Sequence, residues 1–284
     1  NHHMYIGNAS FAAFYIQIIA VLCHGGTMHT LDIEQNTYQT IHQRMRDAAI
    51  ESLSCVPSAF RILFAQVRPG DFPDLRLFQF AAEPLLASDF ELFKQNFPPT
   101  TRMVNQIGAT ETGYFCEFIA THDTVLTTDT VPLGKPFVNC EVWVINESGQ
   151  PIVEEPGEIV ISAPDLLPYW NNPEESAKKF FPDPDRTGWT VVHTGDFGMM
   201  LADGNLVHLG RTDYQVKIRG KRVESVAIED RLHQHPTIQQ AVVHPYKVKN
   251  EVRLAAYYVP TADAGVFDEK AMREFLAQTL PDYM

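Results

Sequence analysis

Basic residues are scarce in this chain: 22 Lys and Arg stand against 35 Asp and Glu, for a formal net charge of −13 and a pI near 5.2. A surface of that sign repels polyanions, and no block of Lys and Arg offsets it, which excludes a nucleic-acid partner. Cysteine is scarce as well. Cys23, Cys55, Cys116 and Cys140 lie far apart, with no CxxC pair and no zinc-type His spacing. Buried free thiols in a reducing cytoplasm are therefore expected. Long hydrophobic runs are missing too. The longest, Phe11 to Cys23, is about 13 residues and interrupted by Gln17, short of the ~20 needed to span a bilayer. It reads as a buried core helix, and a membrane partner is excluded. The N-terminus also lacks a charged region followed by a small-residue cleavage site, so no signal peptide is read. The chain does not begin with Met and stops inside what looks like a motif, which leads us to expect a fragment.

What is present is enough apolar material for a sizeable core. With 284 residues and 45% hydrophobic content, more than one domain is expected. After Phe11–Cys23 and the Gly25-Gly26 break comes a short strand around Met28–Leu31, then Ile41, Met45 and Ala48 at helical spacing. Pro57 opens a helix with Phe60, Leu63, Phe64 and Val67 on one face, and Leu75–Ala82 reads as a buried strand between Pro73 and Pro84. A short helix over Phe90–Phe97 and a strand from Arg102 follow. Alternation of strand and helix points to a parallel sheet with helices on its faces. From Val131 the runs become short and β-branched between Gly, Pro and Asn turns, as in a small antiparallel unit. Asp203-Gly204 there marks a hairpin. A third, α+β module follows Gly210. The expected organisation is 1–130 as part of an α/β core, 131–211 as a small β-rich unit completing it, and 212–284 as a C-terminal subdomain.

Four segments carry candidate chemistry. In Asn105–Gly113 (NQIGATETG) a strand ends in a turn, at the edge where open α/β sheets place ligands. Gly108 permits close backbone approach, Thr110 offers a hydroxyl to a phosphate oxygen, and Glu111 is a hard oxygen ligand suited to Mg²⁺. The alternative is a capped helix start with an exposed Thr-Glu pair. Thr194-Gly195-Asp196 follows an apolar strand, and its carboxylate can accept hydrogen bonds from a vicinal diol; the alternative is a turn Asp. Arg211, in Gly210–Asp213, can reach the same ribose or a phosphate, unless it makes only a local surface ion pair. Val216–Arg219 alternates like a half-buried strand with solvated charges outside. The order in which these segments occur counts for more than any one of them.

Together they resemble the adenylate-forming ligase superfamily, which includes acyl-CoA synthetases, luciferases and the adenylation domains of nonribosomal peptide synthetases. NQIGATETG is similar to the Asn-x-Tyr-Gly-x-Thr-Glu motif, and residues 156–181 resemble the Gly-Glu-Leu segment. HTGDFG is similar to the Tyr-Arg-Thr-Gly-Asp motif with His193 in place of Arg. GRTDYQVKIRG resembles the Gly-Arg-x-Asp-x-Gln-Val-Lys-Ile-Arg-Gly signature, and the terminal LPDYM the Leu-Pro-x-Tyr-Met motif. The resemblance covers essentially the whole chain and fits the peptide-synthetase branch best. It implies an α/β fold: the C-terminal part of the family's core (parallel α/β sheet plus a small antiparallel β unit), followed by a small mobile α+β subdomain.

The resemblance further implies adenylation of a carboxylic acid by ATP with Mg²⁺, then transfer to a phosphopantetheine thiol of a carrier protein, in cis or in trans. Thr110 would contact phosphate and Glu111 would bind Mg²⁺. Gly108, Ala109, Ile107, Asp196 and Arg211 would form the nucleotide site. Asp213 would be the hinge of the mobile subdomain. Lys217, Arg219 and Gly220 would belong to a hairpin lining the thiol tunnel, and Ala12, Gln106, Tyr114 and Phe115 would line the acyl pocket.

Several departures qualify this expectation. Ile107 replaces the aromatic that stacks on adenine, which removes a term of order 1 kcal/mol. Val226-Ala227 replaces a Gly-Glu pair. The 284 residues hold no Gly-rich loop with Pro-Lys-Gly and no C-terminal Asn-Gly-Lys segment, so on their own they are expected not to catalyse ATP–pyrophosphate exchange. Ala12 stands where amino-acid-activating members carry the Asp that pairs the substrate ammonium, which implies an acid without an α-amino group. A free-standing acyl-CoA ligase and a non-catalytic nucleotide-binding or interaction module are the alternatives.

Overall fold

The computed structural model describes residues 1–33, 35–211, 215–218, 221–248, 251–261 and 268–284, with backbone alone at residues 215–217, 222, 224, 226 and 247. The chain divides into two compact units, residues 1–210 and 211–284.

The first unit opens with strand–helix alternation. In order these are β1 (His2–Ile6), α1 (Ala12–Cys23), β2 (Thr27–Leu31), α2 (Tyr38–Asp47), β3 (Ser52–Cys55), α3 (Pro57–Phe64), β4 (Leu77–Phe80), α4 (Ala87–Asn96), β5 (Arg102–Ala109), β6 (Gly113–Ala120) and β7 (Lys135–Pro136). The seven strands run β2-β1-β3-β4-β5-β6-β7. The pairs from β2 through β5 are parallel, and β6 and β7 pair antiparallel. Because side chains alternate along a strand, Met4, Leu53, Phe78 and Met103 share one face. They are buried there against Ile41 and Met45 of α2, Phe60 and Phe64 of α3, and Phe90 and Phe93 of α4. The other face carries polar pairs among its side chains: Ser54 Oγ donates to Gln79 Oε1 at 2.9 Å, and His3 Nδ1 lies 2.7 Å from Ser52 Oγ.

Caps and ion pairs fix the helices. Thr37 accepts from Thr40 N at the start of α2, and Pro57 occupies the first turn of α3. Arg61 of α3 makes a bidentate contact with Asp89 of α4 at 2.7 and 2.8 Å, and Asp89 also accepts from Leu86 N.

Helix α1 departs from the expected core helix. Gln17 is its buried residue, while Tyr15, Ile19 and Leu22 are 57%, 62% and 56% exposed. The reason is compositional: the helix is apolar nearly all round, so its sequence marks no single inward face.

The rest of the first unit is antiparallel. It holds β8 (Glu141–Ile145), β9 (Pro151–Ile152), β10 (Pro156–Pro164), α5 (Pro173–Lys179), β11 (Phe180–Pro182), β12 (Trp189–Met200) and β13 (Leu206–Arg211). The order is β11-β12-β10-β8-β9, with β13 on β12 across the Asp203-Gly204 turn. A second core joins this sheet to the β5–β6 pair. Ile107, Phe115, Cys116 and Leu133 pack with Val144, Ile159, Ile161, Val192 and Leu206. Backbone bonds from Leu133 N to Leu206 O (2.7 Å) and from Leu206 N to Gly134 O (2.8 Å) reinforce the junction.

The second unit contains β14 (Gln215–Ile218), β15 (Lys221–Glu224), α6 (Ser225–His233), β16 (Ile238–Val248), β17 (Glu251–Pro260) and α7 (Glu269–Ala277). Both strand pairs are antiparallel. Val223, Ile228, Leu232, Ile238, Ala241, Val243 and Met272 form its own core, and Arg231 stacks over Phe275 at 3.9 Å.

The four thiols are free, as the spacing implied. Cys55 and Cys116 are buried, and burial pushes both thiols well above their ordinary range. Cys23, on the open face of α1, is exposed rather than buried.

Candidate functional site

The NQIGATETG segment forms a hairpin, not a helix start. Strand β5 runs to Ala109, residues 110–112 turn, and β6 returns antiparallel from Gly113. The turn sits at the carboxyl end of β5, the end at which open α/β sheets place their ligands. It is closed locally: Ala109 N donates to Thr112 Oγ1 at 3.1 Å, and that hydroxyl donates to Gly113 O at 2.9 Å. Gly108 is needed for the hairpin itself, because a Cβ there would lie 2.3 Å from Gly113 O. Thr110 is exposed at the tip, whereas Glu111 is half-buried with its Oε2 shielded from solvent.

Neighbouring residues divide between two environments. Ile107 and Phe115 belong to the second core, at 6% and 2% exposure. Gln106 is buried, with its amide 3.4 Å from Glu117 Oε2. Tyr114 hydrogen-bonds Gln17 of α1, and burial raises its phenol above the ordinary value in spite of that bond. Ala12 is the first residue of α1 and half-buried. Thus α1 is tied to β6 through Gln17, a residue that the sequence marks only as an interruption of an apolar run.

Thr194-Gly195-Asp196 lies in the middle of β12, whereas the sequence placed it at a strand end. The strand continues through the motif by a register shift opposite Glu158–Val160, and Gly195 takes φ +70°, a conformation open to glycine. Glu158 clamps the irregularity: one oxygen accepts from Gly195 N at 3.1 Å, and the other is 3.0 Å from His193 Nδ1. Thr194 Oγ1 donates to Ile159 O at 2.7 Å and accepts from Asp196 N at 3.0 Å. The Asp196 carboxylate, on a residue 8% exposed, meets His208 Nε2 of β13 at 3.1 Å. Sequence reasoning missed His208. Its only signal is its place in the strand that returns from the Asp203-Gly204 turn.

No protein-family profile matches the chain. Curated relatives do. The chain is 32% identical over 278 residues to tyrocidine synthase 3 from Brevibacillus parabrevis and 30% identical over 289 residues to bacitracin synthase 2 from Bacillus licheniformis. These matches take in 97% and 98% of this chain, which spans 4% and 11% of those relatives' lengths. Among solved structures, the crystal structure of IdnL1 matches all of this chain and 59% of its own, with a TM-score of 0.85 and 25% identity. An artificially fused adenylation–PCP di-domain peptide synthetase from Klebsiella oxytoca matches over 100% of this chain and 52% of its own, at a TM-score of 0.83 and 22% identity. The chain belongs to the adenylate-forming ligase superfamily, in its peptide-synthetase adenylation-domain branch.

The other expected adenylation-domain residues divide by position. Arg211 ends β13 and begins the second unit. Lys217 lies in β14, paired with Arg222 through the backbone. Asp213, Arg219 and Gly220 fall outside the described residues. Among the described residues no three His, Cys, Asp or Glu side chains converge as a metal cluster. If Mg²⁺ binds at this tip, Glu111 would be the side chain to hold it, as a hard-oxygen donor. No described helix is long and apolar enough to cross a membrane.

Proposed function

We propose that this chain is part of an enzyme that activates a carboxylic acid with ATP and passes the acyl group to a phosphopantetheine thiol on a carrier protein. In the first step a carboxylate oxygen attacks the α-phosphorus, the bond to the β-phosphate oxygen breaks, and pyrophosphate leaves. In the second a thiolate attacks the acyl carbon and AMP departs. The observation that carries the reading is the second core. Ile107, three residues before Thr110, and Val192, four before Asp196, pack in one apolar cluster, so a phosphate-type turn and a diol-type carboxylate are held in one unit.

Within this reading Thr110 donates to a phosphate oxygen, with Gly108 and Ala109 beside it. Asp196 accepts from the ribose hydroxyls, Arg211 assists, and Ile107 stands on the adenine side from within the core. When bound, Mg²⁺ on Glu111 neutralises phosphate charge, which an acidic protein needs more than a basic one. Asp213 is the pivot between half-reactions, and Lys217, Arg219 and Gly220 belong to the thiol path. Ala12, Gln106 and Tyr114 define the acyl pocket, and Phe115, buried in the second core, supports it from behind. Ala12 stands in the first turn of α1, which holds no acidic residue to pair a substrate ammonium, and this supports an acid without an α-amino group.

Calorimetric titration of the 284-residue chain tests the phosphate end. Mg²⁺ should tighten ATP binding about tenfold in the wild type and leave AMP binding little changed. Glu111→Gln should lose that tightening while retaining AMP. An undiminished Mg²⁺ effect in Glu111→Gln would contradict the assignment.

A further inference from the structure

The nucleotide reading assigns Asp196 to the ribose but gives no account of what aims its carboxylate. Recognition of a vicinal diol by one carboxylate needs both oxygens held in a fixed plane, because two hydroxyls at fixed spacing must be met together. The backbone at Asp196 is set by Thr194 Oγ1 and, one residue earlier, by the Glu158 clamp on Gly195. These contacts do not reach the carboxylate itself. Among the contacts of the described residues, that of His208 does, with Nε2 3.1 Å from Oδ1. It comes from the adjacent strand β13, whose Leu206 is wholly buried in the second core. The imidazole is 26% exposed and the carboxylate 11%, so the pair sits in a setting where a charge-assisted hydrogen bond is short-ranged and directional.

We propose that His208 is a positioning residue: it holds the Asp196 carboxylate in the plane that receives the ribose hydroxyls, so that discrimination between ribose and deoxyribose runs through it. This rests on the nucleotide reading above. A purely structural His208 would affect melting temperature without touching sugar selectivity.

The test compares AMP with 2′,3′-dideoxy-AMP by calorimetry on the 284-residue chain. The wild type should prefer AMP by about tenfold or more, the worth of a charge-assisted hydrogen-bond pair, and Asp196→Ala should abolish the preference. His208→Phe, which keeps a ring but has no donor, should bring the preference near parity while leaving dideoxy-AMP affinity unchanged. His208→Gln, which carries an N–H donor at similar reach, should restore most of it. A full wild-type preference in His208→Phe, with none in Asp196→Ala, would overturn the proposal and leave the nucleotide reading standing. No preference in the wild type would bring down the ribose assignment and the proposal with it. Should His208→Phe be unfolded by circular dichroism, Gln against the shorter Asn carries the same test: wild-type preference in both would overturn the proposal.

Discussion

His3 is 4% exposed, and its Nδ1 lies 2.7 Å from Ser52 Oγ, while Nε2 has no hydrogen-bond partner among the described residues. Burial disfavours the imidazolium and pulls its pKa down from 6.5 to about 4. The folded chain therefore holds this histidine neutral through a range in which the unfolded chain takes up a proton. As pH falls from about 6.5 towards 4, the unfolded state binds more protons and stability declines; above 6.5 the effect vanishes. A gap of that size corresponds to roughly 3 kcal/mol at the acid end. Urea melts at pH 7 and pH 4.5 should show that loss in the wild type and a smaller one in His3→Gln. Equal acid sensitivity in both would place the titrating group elsewhere. At this scale legibility was uneven. Asp196 and Glu111 stood out because their residue types occur in ordered motifs. Gln17, Glu158 and His208 did not, because each acts through a cross-strand or helix–strand contact that has no fixed sequence spacing.

Elements were readable where one face differed from the other. The apolar spacing of α2 and α3 placed Ile41, Met45, Phe60, Leu63 and Phe64 correctly in the core. The strand at β4 followed from its bounding prolines, and the β12–β13 hairpin from Asp203-Gly204. Helix α1 failed this test because apolar residues surround it, and the NQIGATETG turn gave a second strand because Gly108 and Gly113 approach too closely for anything but a hairpin. A test follows for α1. Ile19 is 62% exposed and Ile41 fully buried, so Ile19→Lys should change unfolding free energy by about 0.5 kcal/mol or less. Ile41→Ala should cost about 2–5 kcal/mol, the usual range for emptying a core site. Denaturant melts of the two variants decide it, and a loss in Ile19→Lys as large as that in Ile41→Ala would show that the α1 face is covered.

At the scale of the whole molecule, a chain of net charge −13 is read as handling a highly anionic nucleotide. That is physically coherent only where field and geometry are local: the carboxylate proposed for Mg²⁺ at one tip, the carboxylate proposed for the ribose diol on β12, and a shared apolar core between the segments that present them. Fold class was legible from the strand–helix alternation followed by short β-branched runs. That residues 131–211 complete the core was expected, but the contacts that join the two sheets were not legible, since they are Leu133–Leu206 and Gly134–Leu206 backbone bonds between segments about 70 residues apart. The most direct measurement is AMP binding to the 284-residue chain by calorimetry, wild type against Asp196→Ala. Saturable binding that weakens about tenfold or more in Asp196→Ala is the expected result, in line with loss of a buried charge-assisted contact. Equal affinity in the two proteins, or no AMP binding by the wild type, would contradict a nucleotide site at Asp196.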